Sequence, residues 1–257
     1  VDAFVQAYAP LLLSRRDGEY ARAMVVDLGY GENPGTTLEW ADRLRRTRPN
    51  LPVLGVEIDP ERVECALPFA DDQTHFRLGG FNLPLAPGES ARMVRAFNVL
   101  RQYEEHEVHA AYDSILAGIL PGGLLVDGTS DPTGRTWTAS LIRRPEHHLD
   151  GVPWRQEALV LGTNFRGGLE PESFQTRLPK SFIHRMGGGD PVGVFIGDWL
   201  AACRDTRSCE VWGPRSWFVA AAGALSARGH DVVLRQRWLR HGWLVWRTHG
   251  LSSAQVA

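Results

Sequence analysis

Lysine is almost missing from this chain: Lys180 is the only one in 257 residues, and arginine carries the rest of the basic charge. Such a bias points to a GC-rich genome rather than to a mechanism. Neither sign of charge is in excess, with 28 basic against 30 acidic side chains, and there is no basic tail. Long nucleic acid is bound largely by neutralising its phosphates, so it is not the expected partner. Cysteine is scarce too. Cys65, Cys203 and Cys209 are odd in number and lack the spacing of a zinc site, which fits free thiols in a reducing compartment. No apolar run reaches the length of a membrane span, and no secretory signal is visible. A cytoplasmic protein with no membrane partner is therefore expected. Repeats and low-complexity tracts are also absent. What the chain has is apolar mass: 43% hydrophobic residues, enough to bury a sizeable core and to exclude intrinsic disorder. The length suits one large domain or a domain with an insertion.

The most informative stretch is Val25-Val26-Asp27-Leu28-Gly29-Tyr30-Gly31-Glu32-Asn33-Pro34-Gly35. It reads as a buried strand that ends near an acid and runs into a glycine-rich turn, before a helix carrying Leu38, Ala41 and Leu44 at helical spacing. A second strand follows at about 52–58 and ends on Glu57. Strand, glycine turn, helix and acid-ended strand is how a doubly wound sheet holds a nucleoside cofactor: glycines admit the ligand to the backbone, and the acid accepts from ribose hydroxyls. The dinucleotide pattern G-x-G-x-x-G fails here, because Pro34 stands where the third glycine packs helix against strand. That weighs against NAD.

Further along, Pro60 opens a helix to about 66, and a short strand is expected near 75–78. Ala91–Leu100 reads as a fourth strand. Glu104–Ile119 reads as an amphipathic helix with Val108, Ala111, Tyr112, Ile115 and Leu116 on one face, and a fifth strand is expected at 123–127. Apparent strands at 135–143 and 156–162 and a helix at 191–203 come next. Ser216–Arg228 reads as a helix stopped by Gly229, followed by two strands, 231–237 and 243–247, paired as a hairpin.

These motifs resemble class I S-adenosylmethionine-dependent methyltransferases. Asp27, Gly29 and Gly31 match the family's first motif, and Asn33, which tolerates positive φ, stands in the place of its third glycine. Leu120-Pro121-Gly122-Gly123-Leu124-Leu125-Val126-Asp127 is similar to the family's turn into strand five. One departure is clear: the adenine-binding acid expected near Gly80-Phe81-Asn82 is missing. The resemblance implies an α/β, Rossmann-like, doubly wound seven-stranded mixed sheet. Residues 1–257 would form one methyltransferase domain, with 132–212 as an acceptor-binding insertion between strand five and the closing helix-hairpin. It implies S-adenosylmethionine as cofactor, held by Asp27, Gly29, Tyr30, Gly31, Thr36, Glu57, Ile58, Phe81, Asn82, Phe97 and Asn98.

Methyl transfer from a sulfonium needs the acceptor held in line. A hydroxyl acceptor also needs its proton removed, by a side chain or by a divalent ion such as Mg2+. Candidate bases are Asp131, in the polar run Asp127-Gly128-Thr129-Ser130-Asp131, and His106, His147 and His148. Asp131 is equally a natural turn residue before proline. The metal question stays open in the sequence. Trp137, Trp154, Trp199 and Trp212, interleaved with polar residues, could stack on sugar faces or could be core. A loose likeness to actinobacterial sugar O-methyltransferases makes a carbohydrate the first acceptor to consider. The alternatives are a nitrogen or nucleotide acceptor, or a non-catalytic methyltransferase-like module. The 132–212 segment could also form a homodimer contact.

Overall fold

The computed structural model describes residues 1–146, 153–187 and 189–248. Among them, one sheet of eight strands has the order β3-β2-β1-β4-β5-β6-β7-β8. The strands are β1 (Met24–Leu28), β2 (Val53–Glu57), β3 (Thr74–Leu78), β4 (Ala91–Phe97), β5 (Ile119–Ser130), β6 (Thr136–Arg143), β7 (Arg155–Thr163) and β8 (Trp243–Arg247). The chain forms two compact units. The first comprises residues 1–102, 106–127 and 142–155; the second comprises 103–105, 128–141 and 156–257.

In the first unit, β1 pairs in parallel with both β2 and β4, and β2 with β3. Every residue of β1 and of β2 is buried, as befits strands covered on both faces. One face packs Val26, Leu28, Leu54, Val56 and Val94 against Val108, Ala111, Tyr112, Ile115 and Leu116 of helix α5 (Glu105–Ala117), the apolar stripe read from the sequence. The opposite face of β1 carries Val25 and Asp27, towards helix α3 (Gly35–Arg45), which buries Thr37, Trp40, Ala41 and Leu44. Helix α4 (Pro60–Ala66) starts with Pro60 at its first turn, and Asp59 Oδ1 accepts from the Glu61 N–H at 2.9 Å.

The leading residues form two short helices, α1 (Asp2–Tyr8) and α2 (Pro10–Ser14). They are fixed by Arg92 of β4, which is fully buried. Its guanidinium donates to the carbonyls of Ala23 and Leu12 at 2.9 Å, Arg15 at 3.0 Å and Leu13 at 3.1 Å, and to that of Tyr20. Burial pulls its pKa down to about 10.

The second unit includes helices α6 (Lys180–Ile183), α7 (Pro191–Asp205), α8 (Pro214–Ala227) and α9 (Gln236–Arg240). Phe195, Ile196 and Trp199 of α7 and Phe218, Ala221, Ala222 and Leu225 of α8 share a core with Leu159 and Leu161 of β7 and Trp246 of β8. Phe195 stacks on Trp246 with ring centroids 4.1 Å apart. Gly229 stops α8 as expected, with φ at +97°.

Two expectations need correcting. The sheet has eight strands, not seven, because β6 and β7 of the supposed insertion are members of it. The closing hairpin is not formed by 231–237 and 243–247. Val232 makes a single antiparallel bridge to Trp246, and Gln236–Arg240 is helical, burying Trp238 and Leu239. The antiparallel partner of β8 is β7. The β-branched pair Val232-Val233 reads as a strand, but the arginine-rich segment after it buries its apolar residues better at helical spacing.

Candidate functional site

The glycine turn lies at the carboxyl end of β1, inside the first unit. Gly29 has φ +70°, and its N–H continues the ladder to the Val56 carbonyl at 2.7 Å. A Cβ there would stand 2.5 Å from Val99 Cγ2, so this glycine serves close packing. Gly31 differs. Its φ is +82°, yet a Cβ would meet nothing within 4 Å, so its glycine is required by the backbone and faces open space.

Glu57, at the carboxyl end of β2, holds this turn. Its Oε2 accepts from the Gly31 N–H at 2.9 Å, and its Oε1 accepts from Ile58 at 2.9 Å and from Asp59 at 3.4 Å. A carboxylate offers about four acceptor positions, so Oε2 keeps capacity for a further donor. Ile58 beside it is 71% exposed and presents an apolar surface next to the turn. Glycine cradle, strand-end carboxylate and exposed apolar neighbour fit the ribose and base of a nucleoside cofactor.

Asp27 is buried and held by partners within the protein. It lies opposite Arg95 in the parallel register of β1 and β4. The two form a buried bidentate pair, Nε to Oδ1 at 2.9 Å and Nη2 to Oδ2 at 2.6 Å. Thr37 Oγ1 donates to Oδ2 at 2.7 Å. Arg95 also reaches Asp2 Oδ1 at 2.5 Å and lies 4.1 Å over the Trp40 ring. Burial opposes its charge, but Asp27 and Asp2 outweigh burial and hold its pKa above the usual range. Asp27 therefore anchors α3 beneath the turn through Thr37. Thr37 is buried, whereas Thr36, the expected cofactor residue, is exposed in the first turn of α3.

The other expected cofactor residues are placed as follows. Tyr30 is buried, edge-on to Phe76 at 5.4 Å, and burial with Glu57 nearby pushes its hydroxyl up to about 12. It is a packing residue of the turn. Asn33 does not take positive φ; its Oδ1 accepts from the Gly35 N–H at 2.8 Å and closes the loop onto α3. Phe81 is half-buried against the α5 face of the core, and Asn82 is exposed. Phe97 is half-buried at the end of β4, and Asn98 is exposed with φ +61°, a left-handed conformation that asparagine accepts more readily than most residues.

Among the candidate bases, His106 is exposed in the first turn of α5. Asp131, in the second unit, is committed to the turn between β5 and β6. It accepts from the backbone of Thr133 at 2.7 Å, Thr136 at 2.6 Å and Arg135 at 3.2 Å, and from Thr133 Oγ1 at 2.6 Å. Burial would raise its pKa, but those donors lower it to about 2, which makes it a poor proton acceptor. His147 and His148 lie outside the described residues. Asp127 is buried inside β5 rather than beyond its end, and Tyr112 Oη donates to it at 2.7 Å. Burial pushes that carboxyl up to about 7, Tyr112 partly offsetting it. Three of the four tryptophans considered for sugar stacking, Trp137, Trp154 and Trp199, are core; Trp212 is 80% exposed. Among the described residues there is no group of three or more His, Cys, Asp or Glu side chains able to hold a metal ion, and no helix long and apolar enough to cross a membrane.

No protein-family model and no curated protein matches the chain. Solved structures do. A chain of the complex containing the Haloferax volcanii Trm112 methyltransferase activator is similar over 50% of this chain and 55% of its own, at 25% identity and a TM-score of 0.34. Magnesium protoporphyrin IX methyltransferase from Synechocystis PCC 6803 with bound SAM is 17% identical over 51% of this chain and 59% of its own, with a TM-score of 0.35. An S-adenosylmethionine-dependent methyltransferase from Mesorhizobium loti is 21% identical over 48% and 53%, with a TM-score of 0.34. The chain thus spans a little over half the length of these three proteins.

Proposed function

We propose that the turn between β1 and α3 binds S-adenosylmethionine and that the chain is a methyltransferase. The observation that supports this best is the pair Gly31 and Glu57. One presents bare backbone to open space at positive φ, and the other holds that backbone from the next strand while keeping acceptor capacity. The order β3-β2-β1-β4 puts this turn at the point where the strand order reverses, the usual place for a ligand in an open α/β sheet. Ile58 offers an apolar surface beside it for the adenine, and Phe81 and Asn82 stand in the sequence where the absent acid would be.

When bound, S-adenosylmethionine supplies a methyl group already activated on sulfonium. The chain's own work is then to exclude water and to hold the acceptor in line. The finer reading is O-methylation of a small hydroxyl-bearing acceptor, with one of the histidines His106, His147 and His148 taking the proton. A carbohydrate acceptor rested on the tryptophans and on the loose likeness to sugar O-methyltransferases, and burial of three tryptophans leaves Trp212 and that likeness in its support. A non-catalytic nucleoside-binding module is the second reading, favoured by the missing acid at Gly80-Phe81-Asn82 and by the commitment of Asp131 to its turn.

Calorimetric titration with S-adenosylmethionine, S-adenosylhomocysteine and NADH separates these ideas. Micromolar binding of both sulfur nucleosides and none of NADH is expected. Binding of NADH alone, or of none of the three, contradicts the cofactor assignment. Tight sulfur-nucleoside binding with no methyl transfer to any hydroxyl acceptor in a broad screen would favour the module.

A further inference from the structure

A second site lies wholly in the second unit and is independent of the cofactor reading. Arg215, Gln236, Arg237, Arg240 and His241 line a cavity of about 630 Å³. No acidic residue is among them. We propose that this cavity binds the phosphate groups of a small phosphorylated molecule.

The charge pattern is the first reason. Among the described residues, six of the second unit's twelve arginines, Arg135, Arg177, Arg185, Arg207, Arg228 and Arg247, stand within 4.0 Å of a carboxylate, and three of the six that do not are gathered at this one site. Arg215, Arg237 and Arg240 have no carboxylate partner among the described residues. Three guanidiniums at one cavity repel one another, and a chain with formal charge −2 gains nothing general from collecting them there. A bound anion removes that repulsion. Guanidinium forks match phosphate oxygens two at a time, which is why arginine predominates in such sites.

Preorganisation is the second reason. Arg215, near the start of α8, is held 4.9 Å over the Phe165 ring, and Phe165 packs edge-on against Phe218 at 5.5 Å. His241 stacks on Trp243 with ring centroids 4.9 Å apart. Between them, Gly242 joins α9 to β8 at φ +83°; a Cβ there would fall 2.0 Å from the Thr163 carbonyl oxygen. The lining is thus drawn from two helices and the glycine turn that follows, with two of its charged or polar side chains braced by aromatic rings. Arg237 and Arg240 alone would be cations in the last turn of α9, a common and favourable place for them. Arg215 comes from a helix more than twenty residues earlier in the chain, and the dipole of α9 does not account for it.

The site is a compact, open depression lined by exposed side chains, which suits a small anion held at the surface, whereas a polynucleotide follows an extended basic track.

The test is calorimetric titration of the full chain with pyrophosphate and, separately, orthophosphate at fixed ionic strength. Saturable 1:1 binding of pyrophosphate is expected, weakened about tenfold in Arg215→Gln and again in Arg240→Gln, one charge-assisted contact being lost in each. Both positions are exposed, so melting temperatures should stay close to that of the native chain. Arg207→Gln, which removes a paired surface arginine, should bind pyrophosphate as the native chain does. Weaker binding of orthophosphate assigns a diphosphate-bearing ligand, and equal binding assigns a monophosphate; either supports the site. Absence of saturable binding to both anions, or undiminished binding in Arg215→Gln, overturns it. Tighter binding of a single-stranded RNA oligonucleotide through the same arginines overturns the small-molecule assignment.

Discussion

Two glycines one residue apart, both at positive φ, have different reasons to be glycine. Alanine at position 29 meets Val99 as well as an unfavourable backbone, so Gly29→Ala should cost about 2–4 kcal/mol in urea unfolding. Gly31→Ala meets only the backbone term, about 1–2 kcal/mol. Equal losses would show that Gly31 is also packed. Asp127 supplies a second prediction at this scale. Its folded pKa of about 7 lies above the ordinary carboxylate value, so the native state keeps a proton that the unfolded chain releases. Stability should therefore fall as pH rises from about 4 to about 7 and stay lowered above that. Asp127→Asn should flatten this dependence and raise the melting temperature at pH 8; an unchanged pH profile would contradict the buried, protonated carboxyl. Individual acids were legible in the sequence, but their duties were not. Asp27, Asp127 and Asp131 all read as strand-end candidates, and only the cross-strand register, the length of β5 and the turn geometry assign them to Arg95, Tyr112 and the Thr133–Thr136 backbone.

Elements were read with more success than residues, and the exceptions are physical. The strands around the glycine turn announce themselves by β-branched runs, and α5 by its stripe, because each buries a regular face. Segment 231–240 misleads because a β-branched start gives way to a short arginine-rich helix with only Trp238 and Leu239 to bury. What holds the N-terminal helices in place shows a different kind of silence. Arg92 sits within the apolar run of β4, and nothing local indicates that its guanidinium collects carbonyls from the segment around α2 and Tyr20. Arg92→Met should leave those acceptors without a donor and cost about 3 kcal/mol or more in urea unfolding. Limited proteolysis of this variant should cut within the first 22 residues before the sheet opens. A loss below about 0.5 kcal/mol would mean that water replaces the guanidinium freely.

For the whole molecule, the sequence disclosed the α/β class and the parallel half of the sheet, since both follow from strand–turn–helix repetition. It did not disclose that β6 and β7 join the same sheet: a segment of alternating strands looks the same whether inserted or integral. The most direct measurement is S-adenosylhomocysteine titration of the native chain beside Gly31→Val, in a range where both are folded. Micromolar binding to the native chain and at least about a hundredfold loss in the variant is expected, because a branched side chain would fill the space the bare backbone leaves open. Undiminished binding in Gly31→Val would place the nucleoside elsewhere and contradict the cofactor site proposed here.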